Sequence, residues 1–361
     1  MYLLDTAALP FAAAHPSFYL PPPPPAGRAA DALALASTLW TKKVPAWARW
    51  AAYAAAVYAA REAVARLTAA DLRGQVVLIT GGGSGLGRGL ALKLAAEHGC
   101  RIIVWDRDAT AAAATAAAVT AAGGAALAYA VDVTKKEEVA AQAAACVADM
   151  GAEVDILINN AGVVHGRSVL DAPEGAIEAT FNVNVVSHCW MLRAFLPAML
   201  RRNSGTVVTL ASASGLVGVA KLEDYAASKW AAFGLGESLR MELKRRGSAV
   251  RTLIVAPYYI NTGMFDGVHT RFPLLLPILE PDYVINSIVT SLRRGDELLV
   301  MPRAVAILPF LRAFLPTPVF DATMFALGIN GSMENFRGRA GESSSGGGGG
   351  GGGGDALFAQ P

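Results

Sequence analysis

Cysteine is scarce in this chain: Cys100, Cys146 and Cys189 are the only three among 361 residues, and they lack the paired spacing of metal ligands. That argues against a disulfide framework and against a zinc site; no metal is expected, and the three read as reduced residues of an apolar interior. Charge is scarce too. Asp, Glu, Lys and Arg make up 17% of the residues, 31 basic against 29 acidic, and no long basic run is present to follow a phosphate backbone. Nucleic acid is therefore not an expected partner. Residues 1–20 also lack the basic-then-apolar order of a clear signal peptide.

What the chain has in excess is apolar residues, 53% of the total, enough for one α/β domain of roughly 250 residues with appendages. Residues 1–45 read as a flexible leader containing a polyproline spacer at 21–25. Residues 46–70 read as an apolar, aromatic helix. At 100° per residue Trp47, Trp50, Val57 and Tyr58 share one face while Arg49 points away, an arrangement suited to lying in a membrane interface rather than spanning it. Residues 71–303 alternate short β-branched runs, at 76–80, 101–106, 128–133, 154–159, 206–212, 250–256 and 297–301, with longer Ala/Leu segments. Apolar strands separated by helices indicate a doubly wound, Rossmann-like parallel sheet with helices on both faces, the α/β class. Residues 304–340 form an apolar extension, and 341–361 a Ser/Gly-rich tail that loses too much entropy on ordering to fold.

Two stretches carry chemistry. After the first strand, Thr80, Gly81, Ser84, Gly85, Leu86 and Gly87 belong to a glycine-rich turn that opens a helix, where backbone N–H groups and the helix N-terminus can face a pyrophosphate. The second strand ends in Asp106, placed to accept hydrogen bonds from an adenosine ribose and to repel a 2′-phosphate. This favours NAD, with NADP the lesser option because Arg107 follows directly. Asp132 and Val133 close the third strand as an adenine-side contact. Asn159 closes the fourth as a brace of the sheet, ahead of Asn160, Ala161 and Gly162. Farther on, Tyr225 and Lys229 stand four apart on one helical face, where an ammonium favours the phenolate and makes a proton shuttle of the phenol. Ser212 lies thirteen residues upstream with Ser214 as its nearest rival, and Asn184 interrupts an apolar helical run.

In order and spacing, the turn Thr80 to Gly87, Asn159 to Gly162, Asn184, Ser212 and the Tyr225/Lys229 pair resemble the short-chain dehydrogenases/reductases, over about residues 72–303. The resemblance implies Tyr225 as general acid/base, Lys229 as binder of the nicotinamide ribose, Ser212 as substrate orienter and Asn184 as holder of a relay water. It further implies cofactor contacts at Pro257 and Thr262 and a homo-oligomer. Tyr258 departs from the family, which usually has glycine after that proline. Softer signals, among them Val104 to Asp106, Ala194 to Met199, Asn261 to Met264 and the tail Met333 to Arg339, resemble the membrane-associated subgroup of retinol dehydrogenases and 17β-hydroxysteroid dehydrogenase-like enzymes. That likeness implies a lipophilic alcohol substrate, a retinoid, hydroxysteroid or long-chain alcohol. It also implies a membrane surface at the endoplasmic reticulum or lipid droplets, with the catalytic domain in a reducing compartment. A cofactor-binding sensor or membrane scaffold on the same platform is the alternative, and four intact catalytic residues oppose it.

Overall fold

The computed structural model describes residues 44–67 and 69–338. The expected tail, and the leader apart from its last two residues, lie outside them. One unit of the chain ends at Val64 and a second begins at Ala65. The first contains most of helix α1, Ala46–Leu67, on which Trp47, Trp50, Tyr53 and Val57 are exposed.

The second unit is built on seven strands: β1 Val76–Thr80, β2 Arg101–Asp106, β3 Ala125–Ala130, β4 Ile156–Asn159, β5 Thr206–Leu210, β6 Arg251–Pro257 and β7 Leu298–Met301. They form one sheet in the order β3-β2-β1-β4-β5-β6-β7, every neighbouring pair parallel. Between them run α2 Gly85–His98, α3 Ala109–Ala121, α4 Lys136–Met150, α5 Ala176–Phe181, α6 Ser187–Arg202, α7 Glu223–Arg245 and α8 Pro281–Arg294. Successive strand residues point to opposite faces, so each strand feeds two cores. Val77, Ile79, Ile102 and Val104 face Leu90, Leu94, Val284 and Ile288 of α2 and α8. Val76, Leu78, Ile103 and Leu157 face Val139, Met191, Phe195 and Leu243 of α4, α6 and α7. Cys100 and Cys146 are buried, and burial pushes their thiols up to about 11 and about 12, away from reactive thiolate.

Helix α8 shows how local sequence fixes an element. Pro281 opens it, Gly295 ends it at φ 70°, and Val284, Ile285, Ile288, Val289 and Leu292 make one apolar stripe against the sheet. Each of those side chains contributes roughly 1.5–3 kcal/mol by leaving water. The third strand departs from the sequence reading: it spans 125–130 rather than 128–133. As an alanine-rich edge strand it has little β-branched patterning to mark its start, and Val131, Asp132 and Val133 belong to the turn after it.

After β7 the chain forms a short 3-10 turn at Arg303–Ile307, then α9 Leu308–Phe314 and α10 Thr317–Ala326, each short and with a proline in its first turn. Their inner side chains Val305, Leu308, Phe320 and Met324 join Leu276 and Ile329 in an apolar cluster, while Phe310, Phe314 and Phe325 stay exposed. The sheet order reverses between β1 and β4, and a crevice opens at the carboxyl ends of the strands there, as expected at a topological switch point.

Candidate active site

The crevice is a cleft of about 560 Å³. Its floor is the turn after β1. Gly83 N–H donates to Asp106 Oδ2 at 2.9 Å and Asp108 N–H to Oδ1 at 3.0 Å, so the carboxylate at the end of β2 is held by two backbone donors. Gly87 sits where α2 crosses the turn: a Cβ there would run into the Gly81 carbonyl and come within 2.6 Å of Asn160 Nδ2. Only glycine lets the first turn of α2 approach so closely, which presents its free N–H groups to the cleft. Asp132 Oδ1 accepts from Thr134 N at 3.0 Å and Thr134 Oγ1 at 2.7 Å, a local turn that sets the far wall.

At the other end Ser212 borders the cleft just beyond β5, its oxygen accepting from Ser214 N at 3.2 Å and Ser214 Oγ at 3.0 Å. Tyr225 and Lys229, one turn apart on α7, both reach the same cleft, and the Lys229 ammonium stands 5.6 Å from the Tyr225 ring centre while donating to Leu210 O at 2.9 Å. Both are buried. Burial draws the Lys229 ammonium down to about 8, leaving it mostly charged at neutral pH. Burial pushes the Tyr225 phenol above its ordinary value, and the Ser212 hydroxyl draws it back. A charged lysine beside it acts in the same direction as Ser212, by favouring the phenolate. Ser212, Tyr225, Tyr258 and Phe265 also line a small apolar cavity of about 30 Å³ next door, walled by Leu222, Leu276, Val305 and Leu308. Tyr225 thus borders both the large cleft and the small apolar cavity.

Asn184 lies in a π-helical turn, Asn182–Val186, between α5 and α6. Its side chain makes three hydrogen bonds: Oδ1 accepts from Val163 N at 2.9 Å, and Nδ2 donates to Val163 O and Ser228 Oγ, each at 3.0 Å. It stands behind the cleft wall and ties the loop after β4 to α7. Thr80 and Gly87 also stand behind the wall. The Thr80 hydroxyl accepts from Asn160 N and Ala161 N at 3.0 and 3.1 Å, and Asn160 Nδ2 donates to the Thr80 and Gly81 carbonyls at 2.9 and 3.0 Å. The bracing expected of Asn159 is therefore done by Asn160 and Thr80; the buried Asn159 amide finds no partner among the described residues.

The other expected contacts, Gly81, Ser84, Gly85, Leu86, Asp106, Arg107, Asp132, Val133, Ala161, Gly162, Pro257 and Thr262, all line the cleft, as does Asn160. So do Ile260 and Met264, at the ends of the segment around Thr262, and Glu178 and Asn182, which the sequence reading did not give as contacts. Asn182 had a signal, being a polar residue in the same apolar run as Asn184; Glu178 had none.

Residues 75–271 match the short chain dehydrogenase family. The chain is 41% identical over 271 residues to epidermal retinol dehydrogenase 2 of Mus musculus, covering 74% of this chain and 87% of that protein. It is 35% identical over 308 residues to retinol dehydrogenase 10 of Homo sapiens, covering 78% and 90%. Among solved structures it superposes on a short chain dehydrogenase/reductase from Burkholderia phymatum in complex with NAD, TM-score 0.61, 27% identity, covering 68% of this chain and 94% of that one. A metagenomic short-chain oxidoreductase in complex with NADP gives a TM-score of 0.54 and 30% identity, covering 64% and 98%. A parallel sheet of this order, the cleft at its switch point and likenesses of this extent make the chain a member of the short-chain dehydrogenase/reductase family, in its retinol dehydrogenase-like subgroup, and an oxidoreductase.

Proposed function

We propose that the protein oxidises a lipophilic primary alcohol of the retinoid class to its aldehyde, or runs the reverse reduction, with NAD preferred over NADP. The observation that carries this reading is the position of Tyr225, whose phenol borders both the glycine-floored cleft and the apolar cavity. The names of the relatives point to retinol among lipophilic alcohols. The cleft residues fit a dinucleotide: Gly87 admits the close turn, the start of α2 offers N–H groups, and Asp106 stands where an adenosine ribose would lie. When bound, NAD supplies the hydride acceptor.

The chain's own residues do the rest. Ser212 holds the alcohol oxygen, Tyr225 takes the hydroxyl proton, and Lys229 keeps positive charge beside the phenol. With both amide N–H groups spent on Val163 and Ser228, Asn184 holds the loop and α7 together, and a relay water can meet it only at a carbonyl oxygen, of the side chain or the backbone. The test is cofactor reduction in detergent across retinol, hydroxysteroids and long-chain alcohols, with NAD and NADP. Turnover of retinol with NAD supports the reading, and absence of turnover with every alcohol overturns it.

Cofactor choice rests on Asp106. Asp106→Ala is expected to weaken NAD about tenfold and to improve NADP, because hydrogen bonds to the ribose and repulsion of a 2′-phosphate vanish together. KM values for both cofactors check this, and a wild-type enzyme already preferring NADP would show that Arg107 outweighs Asp106.

We also place the protein on a membrane surface. Exposed Trp47, Trp50, Tyr53 and Val57 on α1, and exposed Phe310, Phe314 and Leu274 in the second unit, support this reading. Among the described residues, the one helical stretch long and apolar enough to cross a bilayer, Ala176–Arg202, carries Asn184 and is partly buried in the fold. Deleting residues 1–70 is expected to move part of the protein from the membrane pellet to the supernatant while the catalytic domain stays folded, since β1 begins only at Val76. Full-length protein found wholly in salt-washed, detergent-free supernatant would remove the membrane reading.

A further inference from the structure

Residues 329–338, which follow α10, form a strap across the loop that carries Phe265. Ser332 Oγ and the Tyr259 phenol are 2.9 Å apart, and His269 N–H donates to Ser332 O at 3.2 Å. Asp266 O accepts from Arg337 N at 2.8 Å, and the Arg337 guanidinium lies 3.4 Å from the Asp266 carboxylate. The fit leaves no room for side chains beneath it. A Cβ on Gly267, which has φ +87°, would collide with the Asn335 carbonyl, and one on Gly166, φ +63°, with the Phe336 ring.

The strap reaches the chemistry through rings. Phe336 lies 6.3 Å from Phe265, centroid to centroid, and Phe265 lies 5.7 Å from Tyr225 and 5.1 Å from Tyr259, all edge to face. The Tyr225 ring is thereby in contact with both Phe265 and the Lys229 ammonium. Proton transfer needs the phenol within hydrogen-bond reach of the alcohol, so a ring that tips away loses rate even where the cofactor still binds.

We propose that Phe336 is a positioning residue: acting through Phe265, it fixes the Tyr225 ring where the glycine-floored cleft meets the apolar cavity. This rests on the reading of Tyr225 as the general acid/base. A residue that only stabilised the fold would, when removed, weaken cofactor binding and turnover together. A positioning residue lowers kcat and spares the cofactor.

The test uses full-length protein in detergent, with Phe336→Ala, Phe336→Tyr, Gly267→Ala and Tyr225→Phe. Phe336→Ala is expected to lower kcat about tenfold with the NAD KM and the NADH Kd within about twofold of wild type, and Phe336→Tyr to restore most of the loss. Gly267→Ala keeps every ring in the sequence but pushes the strap, and Phe336 with it, away from Phe265, and is expected to reproduce the Phe336→Ala phenotype. Wild-type kcat in Phe336→Ala, loss of NADH binding in step with kcat, or failure of Phe336→Tyr to restore activity each overturns the proposal. Tyr225→Phe separates the two readings. If it is inactive while Phe336→Ala is intact, only the positioning role falls; if it is active, the acid/base reading falls and the positioning role with it.

Discussion

Tyr225→Phe is expected to lower alcohol oxidation by at least about 100-fold, the loss typical of removing a general acid/base, with NADH binding nearly unchanged. The substitution removes one oxygen and keeps the ring, so the contact with Phe265 and the burial of Lys229 survive. What disappears is the oxygen proposed to accept the alcohol proton. Burial holds that phenol above its ordinary value, and Ser212 and Lys229 oppose the burial. If phenolate is the form that accepts the proton, wild-type oxidation should rise with pH into the alkaline range, because the phenol is held above its ordinary value, and the variant's residual rate should lose that dependence. Steady-state rates across the pH range, with NADH fluorescence titration for binding, check both points. Turnover near wild type in the variant would take the catalytic role away from Tyr225.

How much of this was legible beforehand depended on whether the signal was local. Strands β1 and β2 could be bounded to the residue because continuous β-branched runs end in Thr80 and Asp106, where the chain turns into the cleft. The start of β3 could not, because alanine at a sheet edge carries no pattern. Tyr225 and Lys229 are four apart on one helix, and spacing alone places them side by side. The partners of Asn184 were hidden. Val163 and Ser228 come from a loop and a helix 21 and 44 residues away, and the π-helical turn that aims the side chain has no sequence signature. The same holds for Phe336 over Gly166, a contact between positions that only the completed fold brings together.

The second large effect concerns substrate length. Specificity constants for primary alcohols are expected to climb about fourfold per methylene, from roughly 0.8 kcal/mol for each one buried, until the tail emerges from the protein. The wall beyond Tyr225 is made of Leu222, Phe265, Leu276, Val305 and Leu308, and the cavity among them is small, about 30 Å³. A tail that enters must therefore displace side chains, and the Phe265 loop under the strap is a part of that wall in ring contact with Tyr225. A polyol meets the same wall with hydroxyls that find no partner, which costs about 1–3 kcal/mol for each one buried. Leu274 and Phe310, each two residues from the wall residues Leu276 and Leu308, are exposed apolar side chains. The measurement is kcat/KM in detergent for butanol through decanol, with retinol and a polyol beside them. A series flat in chain length, or a polyol turned over better than decanol, would end the lipophilic-substrate reading and leave the enzyme class standing, because the class rests on the sheet, the cleft and the family match, none of which depends on Leu222 or Phe265.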